Sequence, residues 1–121
     1  MKILIAEDDL NIATIAKVVL ERVGYHEVHL ASNGREALEK ALASNYDLLL
    51  LDGMMPELSG PEVCRQYKDQ SPSPTPVIFL SAKSTQQDIQ EFLQLGEGYI
   101  QKPFNPQTLC EQIEMILKAA S

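Results

Sequence analysis

The sequence predicts an α/β protein whose parallel sheet is covered by helices on both faces. Short apolar runs alternate with longer segments of helical periodicity, and this βα pattern occurs five times. The run Leu48–Leu51 has no polar side, which is typical of a strand buried on both faces of a sheet. Right-handed crossovers restrict the topologies that such a chain can adopt, although periodicity leaves the strand order open.

The first half of the chain contains three predicted strands and two predicted helices. Asn33 is a suitable N-cap for the second helix, and Glu36 completes a capping pair with it. Gly24 is the expected end of the first helix. In order, we predict a strand at Ile3–Ala6, a helix with apolar residues from Ile12 to Val23, a strand at His26–Leu30, a helix at Asn33–Ser44 and a strand at Asp47–Leu51.

The second half contains two further predicted strands and three predicted helices. A proline-punctuated loop at residues 71–76 precedes the first of these two strands. Ser59 and Glu62 form a capping box, and Pro61 is tolerated because first-turn amides have no intrahelical partner. In order, we predict a helix from Ser59, a strand at Val77–Leu80, a helix capped at 84–87 and ended by Gly96, a strand at Gly98–Gln101 and a helix from Asn105. Helical spacing places several apolar side chains toward the sheet, among them Ile15, Val23, Leu42 and Leu93.

Length and charge exclude several classes of protein. A chain of 121 residues fits one domain, and a net charge of -7 argues against direct binding of nucleic acid. No apolar run approaches the length of a membrane span, and the first strand leaves no room for a signal peptide. Cys64 and Cys110 have no metal-binding spacing, so we expect two small apolar residues in a cytoplasmic protein.

Polar side chains stand at the carboxyl ends of four predicted strands: Glu7 and Asp8, Asp52, Ser81 and Lys102. A parallel sheet brings these ends to one edge. If the first and third strands are neighbours, each carboxylate pair at about 4 Å repels by about 4 kcal/mol at an effective dielectric of about 20. One lysine does not offset this, so either a proton or a divalent cation is required. An oxygen-only ligand set suits Mg²⁺.

These residue types suit phosphoryl transfer to a carboxylate. Asp52 is the candidate nucleophile, while Mg²⁺, Lys102 and the Ser81 hydroxyl could each hold one phosphoryl oxygen. Each residue taken alone also has a plain structural interpretation. Asp9 suits the N-cap of the first helix, and Glu7 and Asp8 could be partners of its dipole.

The chain resembles the receiver domain of bacterial two-component response regulators over essentially all of residues 1–121. The segments that carry this resemblance are Ile3–Asp9, Leu51–Pro56, Phe79–Ala82 and Tyr99–Phe104, in the family's order and spacing. The resemblance implies a flavodoxin-like, doubly wound (βα)5 fold with strand order 2-1-3-4-5, in which the first and third strands are neighbours.

The resemblance also implies a role for each site residue. Asp52 would be the phosphoacceptor, and Ser81 and Lys102 would hold the phosphoryl group. Tyr99 matches the family's aromatic switch position, and the Lys102-Pro103 bond would be cis. The implied Mg²⁺ ligands are Asp8, Asp52, the backbone carbonyl of Met54 and, through water, Glu7. The chain departs from the common pattern in that only Glu97 and Gly98 separate Gly96 from Tyr99, one residue fewer than usual.

The leading functional hypothesis is a signalling switch that accepts a phosphoryl group from a phosphohistidine of a sensor histidine kinase or a histidine phosphotransfer protein. Phosphorylation would alter the face formed by helix four, strand five and helix five, and this face would act on a downstream effector protein or domain, or form a homodimer. Such a protein is not a conventional enzyme, since it catalyses its own aspartyl phosphorylation and dephosphorylation. The alternative is a receiver-fold binding module that acts without phosphorylation. A haloacid-dehalogenase-type hydrolase is disfavoured because Met54 stands where a second aspartate is needed.

Overall fold

The computed structural model describes residues 1–71 and 74–120 and confirms the α/β prediction. Its five strands are parallel and lie in the order β2-β1-β3-β4-β5. Part of the proline-punctuated loop, residues 72–73, lies outside the described residues. The strands are β1 (Lys2–Ala6), β2 (Glu27–Ala31), β3 (Leu48–Asp52), β4 (Val77–Ser81) and β5 (Gly98–Gln101). The helices are α1 (Leu10–Arg22), α2 (Gly34–Ala43), α3 (Gly60–Gln70), α4 (Gln86–Leu95) and α5 (Leu109–Ala120).

The leucines of β3 form the centre of two hydrophobic cores. Successive strand side chains point to opposite faces of the sheet, so Leu49 and Leu51 pack in one core and Leu48 and Leu50 in the other. The first core includes residues of α2, α3 and α4, and the second includes residues of α1 and α5. All four leucines are fully buried, as the wholly apolar run predicts.

Helix termini mostly follow the predicted capping residues. The Asp9 carboxylate accepts hydrogen bonds from the amides of Asn11 and Ile12, Asn33 accepts one from Glu36, and Ser59 and Glu62 form the predicted capping box. The predicted start of the last helix at Asn105 is wrong, since α5 begins at Leu109. The Asn105 carbonyl and side chain instead accept hydrogen bonds from the amides of Thr108 and Gln107, which closes a separate turn.

Four of the apolar side chains expected to face the sheet are exposed instead: Ile15, Val23, Leu42 and Leu93. In α1 and α2 the sheet is contacted mainly by small side chains such as Ala16 and Ala37, because these let the helices approach the strands closely. The first helix ends at Arg22, and the left-handed backbone after it occurs at Tyr25 rather than at Gly24. No helix in the described part of the chain has the length and apolar character needed to cross a bilayer.

Candidate functional site at the carboxyl edge of the sheet

Glu7, Asp8 and Asp52 form an acid trio at the carboxyl ends of β1 and β3. Ala6 pairs with Leu51 in the sheet, so the residues that follow these two reach the edge at the same level. One carboxylate oxygen from each acid lies within 4.8 Å of those of the other two. Glu7 and Asp52 are buried, whereas Asp8 is exposed. The trio is therefore a compact set of oxygen ligands with one member open to solvent.

Lys102 reaches this trio from the end of β5. Its ammonium lies 3.3 Å from Oδ1 of Asp52 and contacts Oε1 of Glu7. Its backbone amide donates a hydrogen bond of 3.0 Å to the Ser81 carbonyl, and the Lys102-Pro103 peptide bond is cis, as expected. Burial disfavours the charged ammonium, but the hydrogen bond to Glu7 and the charge of Asp52 outweigh burial and raise the pKa of Lys102. The lysine therefore stays charged beside the two buried carboxylates.

Glu7 is the member of the acid trio whose pKa is raised despite the ammonium beside it. Burial raises the pKa of Glu7 to about 7, and the neighbouring Asp52 adds to this, while the hydrogen bond from Lys102 opposes it. The buried Oε1 of Glu7 has the Lys102 ammonium beside it. A hard divalent cation prefers carboxylate oxygens and would favour the ionised form of Glu7. The donor set of the trio therefore fits such a cation.

Ser81 lies at the end of β4, where the chain packs tightly against the loop after Asp52. Its hydroxyl is buried and accepts a hydrogen bond of 3.1 Å from the Lys83 amide. A Cβ placed on Gly53 would lie 2.6 Å from the Ser81 hydroxyl oxygen and 2.9 Å from the Phe92 ring. The amide of Met54 donates a hydrogen bond of 3.3 Å to Oδ1 of Asp52. The glycine thus brings the Asp52 loop and the serine together.

Tyr99 connects β5 to the loop that follows Ser81. Its hydroxyl donates a hydrogen bond of 2.7 Å to the Lys83 carbonyl and lies 3.3 Å from the Ser81 carbonyl. Its ring stacks on Phe92 of α4 at a centroid distance of 5.3 Å, and Phe92 stacks on Phe79 of β4 at 4.8 Å. Partial burial raises the pKa of the Tyr99 hydroxyl. A movement of residues 81–83 would therefore change the hydrogen bonds of the Tyr99 hydroxyl.

Residues 3–114 match the family model described as the response regulator receiver domain. The chain belongs to this receiver family. The receiver chain is 40% identical to the transcriptional regulatory protein ResD of Bacillus subtilis over 121 residues, which is 99% of this chain and 49% of that protein. The receiver chain spans about half the length of the curated relatives it matches.

Solved receiver structures have the same fold. The receiver domain of the Francisella response regulator 1452 superposes with a TM-score of 0.87 at 34% identity, over 99% of this chain and 98% of that one. The chemotaxis protein CheY4 of Vibrio cholerae gives a TM-score of 0.86 at 32% identity, over 95% and 97% of the two chains.

The receiver fold brings the predicted site residues to one edge of the sheet. The carboxylates of Glu7, Asp8 and Asp52 lie within 4.8 Å of one another, Lys102 contacts Glu7 and Asp52, and Ser81 lies beside Gly53. The metal role of the Met54 carbonyl stays a prediction. Sequence reasoning missed the importance of Gly53 and the stack of Phe92 on Tyr99. A glycine directly after a candidate nucleophile was the available signal for the first, since glycine permits close backbone approach.

Proposed function

We propose that this receiver domain, comprising residues 1–121, is a phosphorylation-controlled switch of a two-component system. Asp52 accepts a phosphoryl group from a phosphohistidine of a sensor histidine kinase or a histidine phosphotransfer protein. The observation that carries this proposal is the position of the Asp52 carboxylate, which is buried among two other acids with the Lys102 ammonium 3.3 Å away. The proposed setting is the cytoplasm.

In the proposed reaction, a carboxylate oxygen of Asp52 attacks phosphorus, and the bond between phosphorus and the imidazole nitrogen breaks. The electron pair of that bond returns to the imidazole. Lys102 and the Ser81 hydroxyl donate hydrogen bonds to phosphoryl oxygens and so stabilise their negative charge, which is the main requirement of phosphoryl transfer. A Mg²⁺ ion held by Asp8, Asp52, the Met54 carbonyl and, through water, Glu7 would supply further neutralisation of these oxygens. Hydrolysis of the acyl phosphate returns the domain to its starting state.

The proposed output is a shift in the face formed by α4, β5 and α5. Ser81 and Lys83 are joined through the hydrogen bond between the Lys83 amide and the Ser81 hydroxyl, and the Lys83 carbonyl binds Tyr99. A phosphoryl group that draws the Ser81 hydroxyl toward itself would lengthen the first of these bonds and so disturb the second. This shift would be recognised by an effector protein or effector domain, or by a second copy of the chain. The alternative, a binding module that acts without phosphorylation, does not explain why the acid trio, Ser81 and Lys102 lie together.

The proposal is tested by intact-mass measurement after incubation with acetyl phosphate and Mg²⁺. We expect the wild type to gain one phosphoryl group and Asp52→Asn to gain none. Asp9→Asn is the matched control, because Asp9 caps α1 and lies outside the acid trio. Equal labelling of Asp52→Asn and wild type would refute the assignment of Asp52.

A further inference from the structure

The connection between α4 and β5 consists of only Gly96 and Glu97, and Glu97 holds it to β4. The Glu97 amide donates a hydrogen bond of 2.8 Å to the Val77 carbonyl, and the Glu97 carboxylate accepts one of 2.5 Å from the Val77 amide. A single residue therefore satisfies both backbone polar groups of the first residue of β4.

Helix α3 holds the same connection from the other side. The Lys68 ammonium donates a hydrogen bond to the carbonyl of Leu95, the last residue of α4, and lies 3.9 Å from the Glu97 carboxylate. The Cys64 thiol lies 3.4 Å from the same carbonyl. A cation at the carboxyl end of a helix also interacts favourably with the helix dipole. We call Lys68 and Glu97 the α4–β5 clamp.

Helix α4 packs on the core mainly through Phe92, with Leu95 partly buried beside the same core. The whole of α4 lies in the described part of the chain, and Phe92 is its one buried side chain. Phe92 stacks on Tyr99, so the position of α4 and the position of the Tyr99 ring depend on each other. Tyr99 also follows Glu97 by only two residues, so the hold on Val77 fixes the start of the strand that carries the tyrosine.

We infer that Glu97 and Lys68 are positioning residues for Tyr99. The clamp keeps the ring stacked on Phe92 with its hydroxyl on the Lys83 carbonyl. This holds for the unphosphorylated chain, whereas an effect of the clamp on the phosphorylation-dependent shift rests on the proposed function. A clamp of this kind sets how much of the displaced state is populated before any phosphoryl group arrives.

The test uses 3-fluorotyrosine incorporated into the whole chain, with the fluorine resonance of Tyr99 assigned by its loss in Tyr99→Phe. In unphosphorylated Glu97→Ala we expect a second Tyr99 resonance, with a population at least about tenfold above wild type, because a hydrogen bond to a charged acceptor is lost. Glu97→Gln keeps an acceptor oxygen for the Val77 amide but loses the charge that faces Lys68, so its second resonance should be weaker than that of Glu97→Ala. Lys68→Met should give an intermediate population, since it leaves the Glu97 hydrogen bonds in place.

Glu91→Ala is the matched control. It removes the exposed ion pair of Arg65 in α3 with Glu91 in α4 but no contact to Val77, so its Tyr99 resonance should match wild type. A folded Glu97→Ala with only the wild-type resonance would overturn the inference. If Glu97→Ala does not fold, a wild-type spectrum of Lys68→Met overturns it instead. These spectra need no phosphodonor. If the wild type fails to accept a phosphoryl group, the proposed function is refuted, but the spectra still test the role of Glu97 and Lys68.

Discussion

Gly53 and Ser81 lie so close together that a methyl group on the glycine would be 2.6 Å from the serine hydroxyl oxygen. The same methyl group would lie 2.9 Å from the Phe92 ring. Gly53 has an ordinary negative φ, so its small size matters here and its backbone freedom does not. The position of the hydroxyl that would bind a phosphoryl oxygen thus depends on the absence of a side chain on the residue after Asp52.

Replacing Gly53 with alanine should therefore impair labelling of Asp52 by acetyl phosphate. Overpacking in a filled interior costs about 1–3 kcal/mol, and we expect the labelling rate to fall by about tenfold or more as Ser81 is displaced. Gly24→Ala is the control, since the nearest atoms to the added methyl group there belong to the His26 side chain and the Leu20 carbonyl, which are not residues of the site. Labelling of Gly53→Ala at the wild-type rate would contradict the proposed role of this contact.

Glu7 should make stability depend on pH in the absence of a divalent cation. Burial raises the pKa of Glu7 in the folded chain from its ordinary 4.5 to about 7, so the folded state binds more protons between these values. The contribution of Glu7 is therefore fully present below about pH 4.5 and is lost as the pH rises through about 7. Glu7→Gln should remove this decline in denaturant unfolding measured across that range. An identical pH slope in the two proteins would show that Glu7 is not the responsible group.

Tyr25 offers a stabilising substitution away from the site. Its φ is 57°, and its side chain is 88% exposed, so the residue bears backbone strain with little packing in return. Tyr25→Gly should raise the free energy of unfolding by about 0.5–1 kcal/mol, since glycine adopts this conformation without a steric cost. Tyr25→Ala keeps the Cβ and should show no such gain. A lower free energy of unfolding for Tyr25→Gly than for Tyr25→Ala, measured by thermal or denaturant unfolding, would contradict this prediction.

The two cysteines should differ in reactivity. Burial raises the pKa of the Cys64 thiol to about 11, and this side chain is inaccessible, whereas Cys110 is partly exposed. At about pH 8, iodoacetamide should modify Cys110 at least about tenfold faster than Cys64, because alkylation requires an accessible thiolate. Peptide mapping of the native chain measures both rates, and the unfolded chain, in which the rates should converge, is the control. Equal rates in the native chain would contradict the burial of Cys64.

Particular residues show what the sequence could predict. The run Leu48–Leu51 predicted a strand buried on both faces, and the acids that follow β1 and β3 predicted a common edge because parallel strands end together. Strand order was not readable from periodicity, since it depends on which crossovers pack best. The strand order and the role expected of Tyr99 were both inferred from the resemblance to the receiver family.

Other features depend on tertiary contacts that a local pattern does not contain. Leu93 has helical spacing suited to burial, yet it is exposed, because α4 packs on the core through Phe92 and the partly buried Leu95 instead. The start of α5 shifted to Leu109 because Asn105 bonds to its own turn. The role of Glu97 as a partner of Val77 depends on two segments twenty residues apart in sequence, which only the folded chain brings together.

The most direct test of the central proposal combines intact mass with peptide mapping after incubation with acetyl phosphate, in Mg²⁺ and in excess chelator. Asp8→Asn, which alters only the exposed member of the acid trio, is measured beside the wild type. We predict one phosphoryl group on Asp52 in wild type with Mg²⁺, little or none with chelator, and strongly reduced labelling of Asp8→Asn. A folded wild type that gains no phosphoryl group with Mg²⁺, or gains it on a residue other than Asp52, would contradict the proposal.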